Sequence, residues 1–355
     1  MNENQSNLLI HNYEKQYCGA QNEFISNLMK NNITSLRNEF YKFYNDNNFT
    51  EKYEIIFENY TYYQKCGLLE YHLSPTYDFI DNFYLAINKN NLAILDKIES
   101  ISLRINQFEI NRIYLDTYQE CILNFFDTIF FANKKDNCKF LNFINNQSHN
   151  NKLISLPLFD MLPFNENVKI IIKLKDSDLN IDEYIEHIKL FGCKYKLNDP
   201  ENNVFKDKVN EFIITQIQYT GQEVIINNSV RLNHNHPILL LYFYGIDIDT
   251  INNVELKFDG EIYHSYNKKQ IKKFNDQNVG FITFDQTLFN IKSVNKNFYE
   301  LMTVNFSRID NIKLIFNIEN KEKDLNNENH EIKIFALGFN TVRFFNDKIG
   351  LTFSK

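Results

Sequence analysis

Apolar and polar residues alternate with a period of two through most of this chain, and that pattern alone excludes most folds. In NIKLIFNIE (311–319), Ile312, Leu314, Phe316 and Ile318 share one face of a strand, and Lys313, Ile315, Asn317 and Glu319 take the other. In NVKIIIKLKD (167–176), Val168, Ile170, Ile172 and Leu174 face one way and Lys169, Lys173 and Lys175 the other, with Ile171 the exception. DNFYLAI (81–87), SISLRINQFEI (100–110), HIKLFGCKYKL (187–197), NVELKFDGEIY (253–263), VGFITFD (279–285) and HEIKIFALGFN (330–340) each read as one strand of ordinary length. Helical spacing is confined to two places. Ile10, Tyr13, Tyr17, Ala20, Phe24 and Leu28 form one stripe over residues 8–29, and DTYQECILNFFDTIFF (116–131) opens at Asp116 as an N-cap. Regular strand–helix alternation is missing, so the chain is mainly β rather than a doubly wound α/β sheet.

The break in the pattern is KLNDPENNVFKDK (196–208), polar and carrying Pro200, which lacks an N–H and suits no strand interior. Cutting there divides the strands into two halves, each the size of one eight-stranded jelly roll. The expected organisation is a helical arm at 1–50, a first jelly roll at 51–198, a linker at 199–208 and a second jelly roll at 209–355. The arm stripe suits either a helix packed on its own domain or one docked on a neighbour.

Charge and composition remove several function classes. A net charge of −7 argues against a surface built for nucleic-acid phosphates. The one basic cluster, KKQIKKF (268–274), reads as a solvated loop. No window approaches the ~18 apolar residues of a membrane span. The N-terminal MNENQSNLLIHNYEK has no apolar core of signal-peptide length. Five scattered cysteines without a CxxC make a reducing, cytosolic setting the expectation. The 55 asparagines weaken every Asn-based motif, N-x-S/T triplets such as Asn59-Tyr60-Thr61 included.

Catalytic signatures are scarce. Nine glycines leave little for phosphate-binding loops, and no nucleotide, hydrolase or zinc-protease motif is present. His234 and His236 in RLNHNHPILLLYFYG stand two apart and would share a strand face as two metal ligands could, but nothing singles out a third. Pro237 after them marks a bend entering a buried strand. In NFSRIDN (305–311), Arg308 and Asp310 also stand two apart. A guanidinium and a short carboxylate at the lip of a strand read as a set of hydrogen bonds that fixes the loop.

Ordered phrases along the chain resemble the double jelly-roll major capsid proteins of nucleocytoplasmic large DNA viruses. Phe306, Ser307, Arg308, Ile309, Asp310 and Asn311, then Ala336, Asn340, Val342 and Arg343, then Gly350, Leu351 and Ser354 match that family's C-terminal segment. Gln218, Thr220, Gly221, Glu223, Leu232, Asn233, Asn235, His236 and Pro237 match the start of its second jelly roll, which makes His236 structural. Residues 187–207 resemble its interdomain segment. Pro75, Asp78 and Ile80, then Pro157, Leu158 and Phe159, and finally YCGAQNEFI (17–25) keep its outline nearer the N-terminus. The chain departs from the family in its shorter tower loops, substituted turn glycines and prolines, and absent tryptophan.

The resemblance implies a structural protein rather than an enzyme, with no cofactor and no metal. It implies a homotrimer forming a pseudo-hexagonal capsomer of an icosahedral shell. Its partners would be neighbouring capsomers and minor or inner capsid proteins, with an inner membrane nearby and no direct nucleic-acid contact. It places the protein in the virion capsid, assembled in host cytoplasm, with Gly221, Glu223, His236, Pro237, Phe306, Arg308, Asp310, Asn340 and Arg343 as structural motif residues. A minor capsid paralogue and a poxvirus-type scaffold are the alternatives within assembly. A jelly-roll carbohydrate-binding module or glycan-active enzyme is the alternative outside it.

Overall fold

The computed structural model describes residues 21, 24, 25, 27, 28, 49–55, 60–72, 79–115, 122, 123, 126, 146–156, 159, 162, 163, 168–175, 187–197, 210–224, 228–273, 278–285, 288, 302–318, 331–345 and 348–353. The protein is mainly β and antiparallel, as the alternation predicts. It divides into two compact units. One comprises residues 32–216 and 341–354, and the other residues 1–31, 217–340 and 355.

The first unit holds two sheets. One runs β1 (Phe49–Ile55), β10 (Ile188–Leu197), β4 (Phe79–Asn88), β7 (Asn151–Ser155), with β8 (Leu162–Pro163) also on β4. The other runs β2 (Tyr60–Tyr63), β3 (Leu68–His72), β9 (Val168–Leu174), β5 (Ile98–Ile105), β6 (Phe108–Tyr114). Leu69, Tyr71, Ile101, Ile170, Leu190 and Phe191 are among the residues of both sheets that form one core cluster. In β9 the expected faces hold: Val168, Ile170, Ile172 and Leu174 are buried and Lys169 and Lys173 half-buried. The described residues of the 116–131 segment, Ile122, Leu123 and Phe126, are helical and buried.

In the second unit, one sheet runs β12 (Ser229–Leu232), β19 (Ile312–Ile318), β14 (Ile251–Phe258), β15 (Glu261–Asn267). The other sheet runs β11 (Asn210–Val224), β20 (Glu331–Phe345), β13 (Pro237–Tyr244), β17 (Val279–Thr283), β16 (Lys272–Lys273); β18 (Val304–Asn305) pairs with β13 and β21 (Lys348–Leu351) with β20. The long strands β11 and β20 contribute residues to both units: 210–216 and 341–345 belong to the first, 217–224 and 331–340 to the second. Phe243 of β13 meets Phe316 of β19 edge-on at 5.1 Å within the core between the sheets. On the other side of β13, Tyr242 is buried as well and stacks on Phe335 at 4.8 Å. With both faces covered, all eight residues of β13 are buried, which is why PILLLYFY reads as an uninterrupted apolar run.

Two expected strands are hairpins. SISLRINQFEI splits into β5 and β6, with Ile105 paired to Phe108 across Asn106-Gln107 and Asn106 in the left-handed region (φ 53°). NVELKFDGEIY splits into β14 and β15 at Asp259-Gly260, both with positive φ (50° and 97°). Asp-Gly supplies the two left-handed residues that a two-residue hairpin turn matching the strand twist requires. A two-residue turn by itself shifts the pattern by one residue, and the β-bulge beside each turn, between Leu103 and Arg104 and between Leu256 and Lys257, shifts it back, so alternation continues through both hairpins. The described residues of the N-terminal stripe (21, 24, 25, 27 and 28) are helical, with Gln21, Ile25 and Leu28 buried in the same unit as 217–340. The rest of 1–50 apart from Phe49 and Thr50, and the whole 199–208 linker, lie outside the described residues.

Candidate functional site

The motif residues converge on the junction between the β12–β13 connection and the turn that follows β18. Ahead of β13 the chain enters through His236, held at φ 70°. Three groups fix that conformation. The His236 N–H donates to Ser307 Oγ at 2.8 Å, and the His236 carbonyl accepts from the Phe306 N–H at 3.0 Å. The Gln21 side-chain nitrogen lies 3.0 Å from His236 Nδ1, so the N-terminal helix is tied to the same residue.

One residue earlier, Gln218 of β11 imitates a strand neighbour. Its Oε1 accepts from the Asn235 N–H at 2.7 Å and its Nε2 donates to the Asn235 carbonyl at 2.6 Å. Both polar groups of a non-strand peptide are thereby satisfied by one buried amide. Pro237 then opens β13 opposite Asn305, a position where a missing N–H is tolerated.

On the other side, Asn305 caps the short turn Phe306–Arg308, its Oδ1 accepting from the Ser307 N–H at 3.0 Å. Asn305 is 2% exposed, so the Asn305-Phe306-Ser307 triplet is no glycosylation acceptor in the folded chain. Phe306 is 1% exposed and meets Phe258 at 6.0 Å and Phe284 at 5.9 Å, both edge-on. Ile309 is buried beside it. Arg308 and Asp310 are both exposed. The Asp310 carbonyl, rather than its carboxylate, accepts from Arg231 at 3.3 Å. Asn311 exchanges hydrogen bonds with Asp259 of the β14–β15 turn, donating its N–H to Oδ1 at 3.0 Å and accepting from the Asp259 N–H at 2.9 Å. The hydrogen bonds described in this loop are those of Asn305, Ser307 and the backbone.

His234 and His236 are both buried, but they lie in the connection before β13, off any strand. Among the described residues no group of three or more His, Cys, Asp or Glu side chains is placed to hold a metal ion.

No family model and no curated protein matches the sequence. Solved structures do match. A quasi-atomic model of the PBCV-1 virus capsid aligns at TM-score 0.59 and 15% identity, over 87% of this chain and 97% of that one. The PBCV-1 VP54 crystal structure, fitted into a reconstruction of the virophage Sputnik, aligns with the same figures. The fold is the double jelly roll of viral capsid proteins.

Within this double jelly roll the remaining motif residues are scattered. Gly221 interrupts β11 at φ 126° with open space where a side chain would start. Glu223 lies one residue before the end of β11. Asn340 is buried in β20, and Arg343, three residues on, pairs with Glu211 of β11 through both Nε and an Nη. That pair is half-exposed on the arginine side, and such surface pairs contribute only about 0–1 kcal/mol. Nothing in the sequence marks Gly338. A Cβ there would sit 2.6 Å from the Pro237 carbonyl oxygen, so β13 and β20 approach as they do only because this position lacks a side chain. Asn305 was equally unmarked, although an Asn two residues before a Ser is the pattern of a side chain capping its own turn.

Proposed function

We propose that this chain is a viral structural protein that assembles as a homotrimer into pseudo-hexagonal capsomers of an icosahedral shell. The observation that carries the reading is the alignment of 87% of the chain with the PBCV-1 capsid structure. The motif geometry supports it, because His236, Pro237 and Phe306 are taken up in joining strands and filling the core. Two jelly rolls per chain, repeated about a threefold axis, make a six-lobed tile, and closed cyclic symmetry makes the trimer a natural unit. Tiles meeting edge to edge, with minor or inner capsid proteins beneath them, form the shell. The protein assembles in host cytoplasm, takes its place in the virion capsid, and catalyses no reaction.

Light scattering on the purified full-length protein, followed by imaging of the main peak, tests this. A species of about 128 kDa, three times the 42.5 kDa chain, with a hexagonal outline is the expected result. A monomer across a wide concentration range would overturn the homotrimer and favour a minor protein that needs a partner. Trimers that tile membranes during assembly but are missing from mature particles would replace the shell role with a scaffold role.

A further inference from the structure

The register of the β12–β19–β14–β15 sheet places three cations side by side. Arg231 pairs with Lys313, and Lys313 pairs with Lys257, which in turn faces Ile262. Directly opposite residues of antiparallel strands share a face, and like charges in that arrangement destabilise the sheet. The face is the outer one: Arg231, Lys313 and Ile262 are exposed, while Leu232, Ile312, Leu314 and Leu256, their strand neighbours, are buried. A carboxylate adjoins the row on each side. Glu255 lies 4.0 Å from Lys257 and also accepts from Asn317 at 3.4 Å, and the exposed Asp259, two residues past Lys257, accepts from the Asn311 N–H, while Arg231 donates to the Asp310 carbonyl. In a chain of net charge −7, three adjacent outward cations are the reverse of what sheet stability and overall charge would select.

We infer that this outer sheet face is a binding site for an acidic polysaccharide. Neighbouring strands set the three cations about 4.8 Å apart, a pitch comparable with one pyranose ring. A glycan bearing one sulfate or carboxylate per sugar, lying across the strands, meets one cation per sugar. An acidic peptide fits less well, because its same-side residues recur about every 6.8 Å when extended. The rows beyond the cations carry groups suited to a sugar: Ser229, the partly exposed Ile315, Glu255 and Ser265 in one, then Asn317, Asn253 and Asn267 in the next. Asn253 already donates to Ser265 Oγ at 3.1 Å, which orients both side chains on this face. The inference concerns one face of the single chain and goes beyond the capsid reading without depending on it.

The test is calorimetric titration of the full-length protein with a sulfated hexasaccharide at low salt, beside unsulfated dextran and polyglutamate. Wild-type protein binds the hexasaccharide, and the double variant Lys257→Ser/Lys313→Ser binds it at least about tenfold more weakly. The loop variant Lys268→Ser/Lys269→Ser retains wild-type affinity. Without ligand, the thermal midpoint of the sheet variant does not fall, since the substitutions relieve repulsion on an exposed face; this shows that the loss is not unfolding. Absence of hexasaccharide binding, equal binding by the sheet variant, equal loss in the loop variant, or equal affinity for dextran would each overturn the proposal. Tighter binding of polyglutamate would also overturn it and assign the face to an acidic peptide.

Discussion

One methyl group added at Gly338 should cost more stability than the same group added at Gly350. Gly338 pairs with Ile238, beside the register shift between Ile238 and Leu240. A Cβ there would lie 2.6 Å from the Pro237 oxygen and 2.8 Å from Ile238 Cδ1. The isoleucine methyl can rotate aside. The carbonyl cannot, because Pro237 is held in register opposite Asn305. Relief requires β13 and β20 to separate by several tenths of an ångström, and overpacking of this kind costs about 1–3 kcal/mol. At Gly221 the space is open and only the backbone, at φ 126°, resists a side chain, which costs about 1 kcal/mol or more. Gly350 has neither obstacle, so Gly350→Ala should be neutral or stabilising by up to about 1 kcal/mol, through the unfolded chain. Urea unfolding followed by circular dichroism measures all three. With a slope of about 2–3 kcal/mol/M, a 2 kcal/mol loss lowers the midpoint by roughly 0.7–1 M. A Gly338→Ala midpoint equal to that of Gly350→Ala would refute the close approach of the two strands.

Three further outcomes follow from the same geometry. Phe306→Ala should cost about 3–5 kcal/mol, because it empties a buried site between Phe258 and Phe284, with Phe306→Leu recovering much of the loss in the same unfolding assay. Ser307→Ala leaves the His236 N–H without its acceptor and should cost about 1–3 kcal/mol; hydrogen exchange at that amide should speed up in the variant. Burial lowers the pKa of His264 below its ordinary 6.5, so the folded state resists protonation. Its contribution is complete above that value and is lost as pH falls through the lowered folded value, so thermal midpoints measured from about pH 7.5 to about pH 5 should decline less in His264→Gln than in the wild type.

The β class, the faces of β9 and β19, and the buried character of the strand after Pro237 were all legible in the residues, because side-chain parity in a strand depends on the chain alone. The two hairpins were less visible. Asp259-Gly260 carried the turn signal, but alternation continued on both sides of it and disguised two strands as one. For the motif residues, order along the chain identified the fold, while individual roles were another matter. Arg308 and Asp310 stood out because charged residues attract functional readings. Among the bonds described in their loop are those of Asn305 and Ser307, whose short side chains are common everywhere in an Asn-rich chain.

Local periodicity and turn chemistry act over a few residues, so the sequence by itself determined that the chain forms short antiparallel strands, which faces of them are apolar, and that the strands suffice for two jelly rolls. Pairing joins residues far apart in the chain, and only the tertiary structure decided those partners. It set Gln218 against Asn235, Ser307 against His236, and the bare Gly338 against Pro237. It also aligned Arg231, Lys313 and Lys257 in one row, from three strands separated by up to 82 residues of chain. No local rule could foresee that row, because each cation sits at an ordinary outward position of its own strand and becomes unusual only when register makes them neighbours.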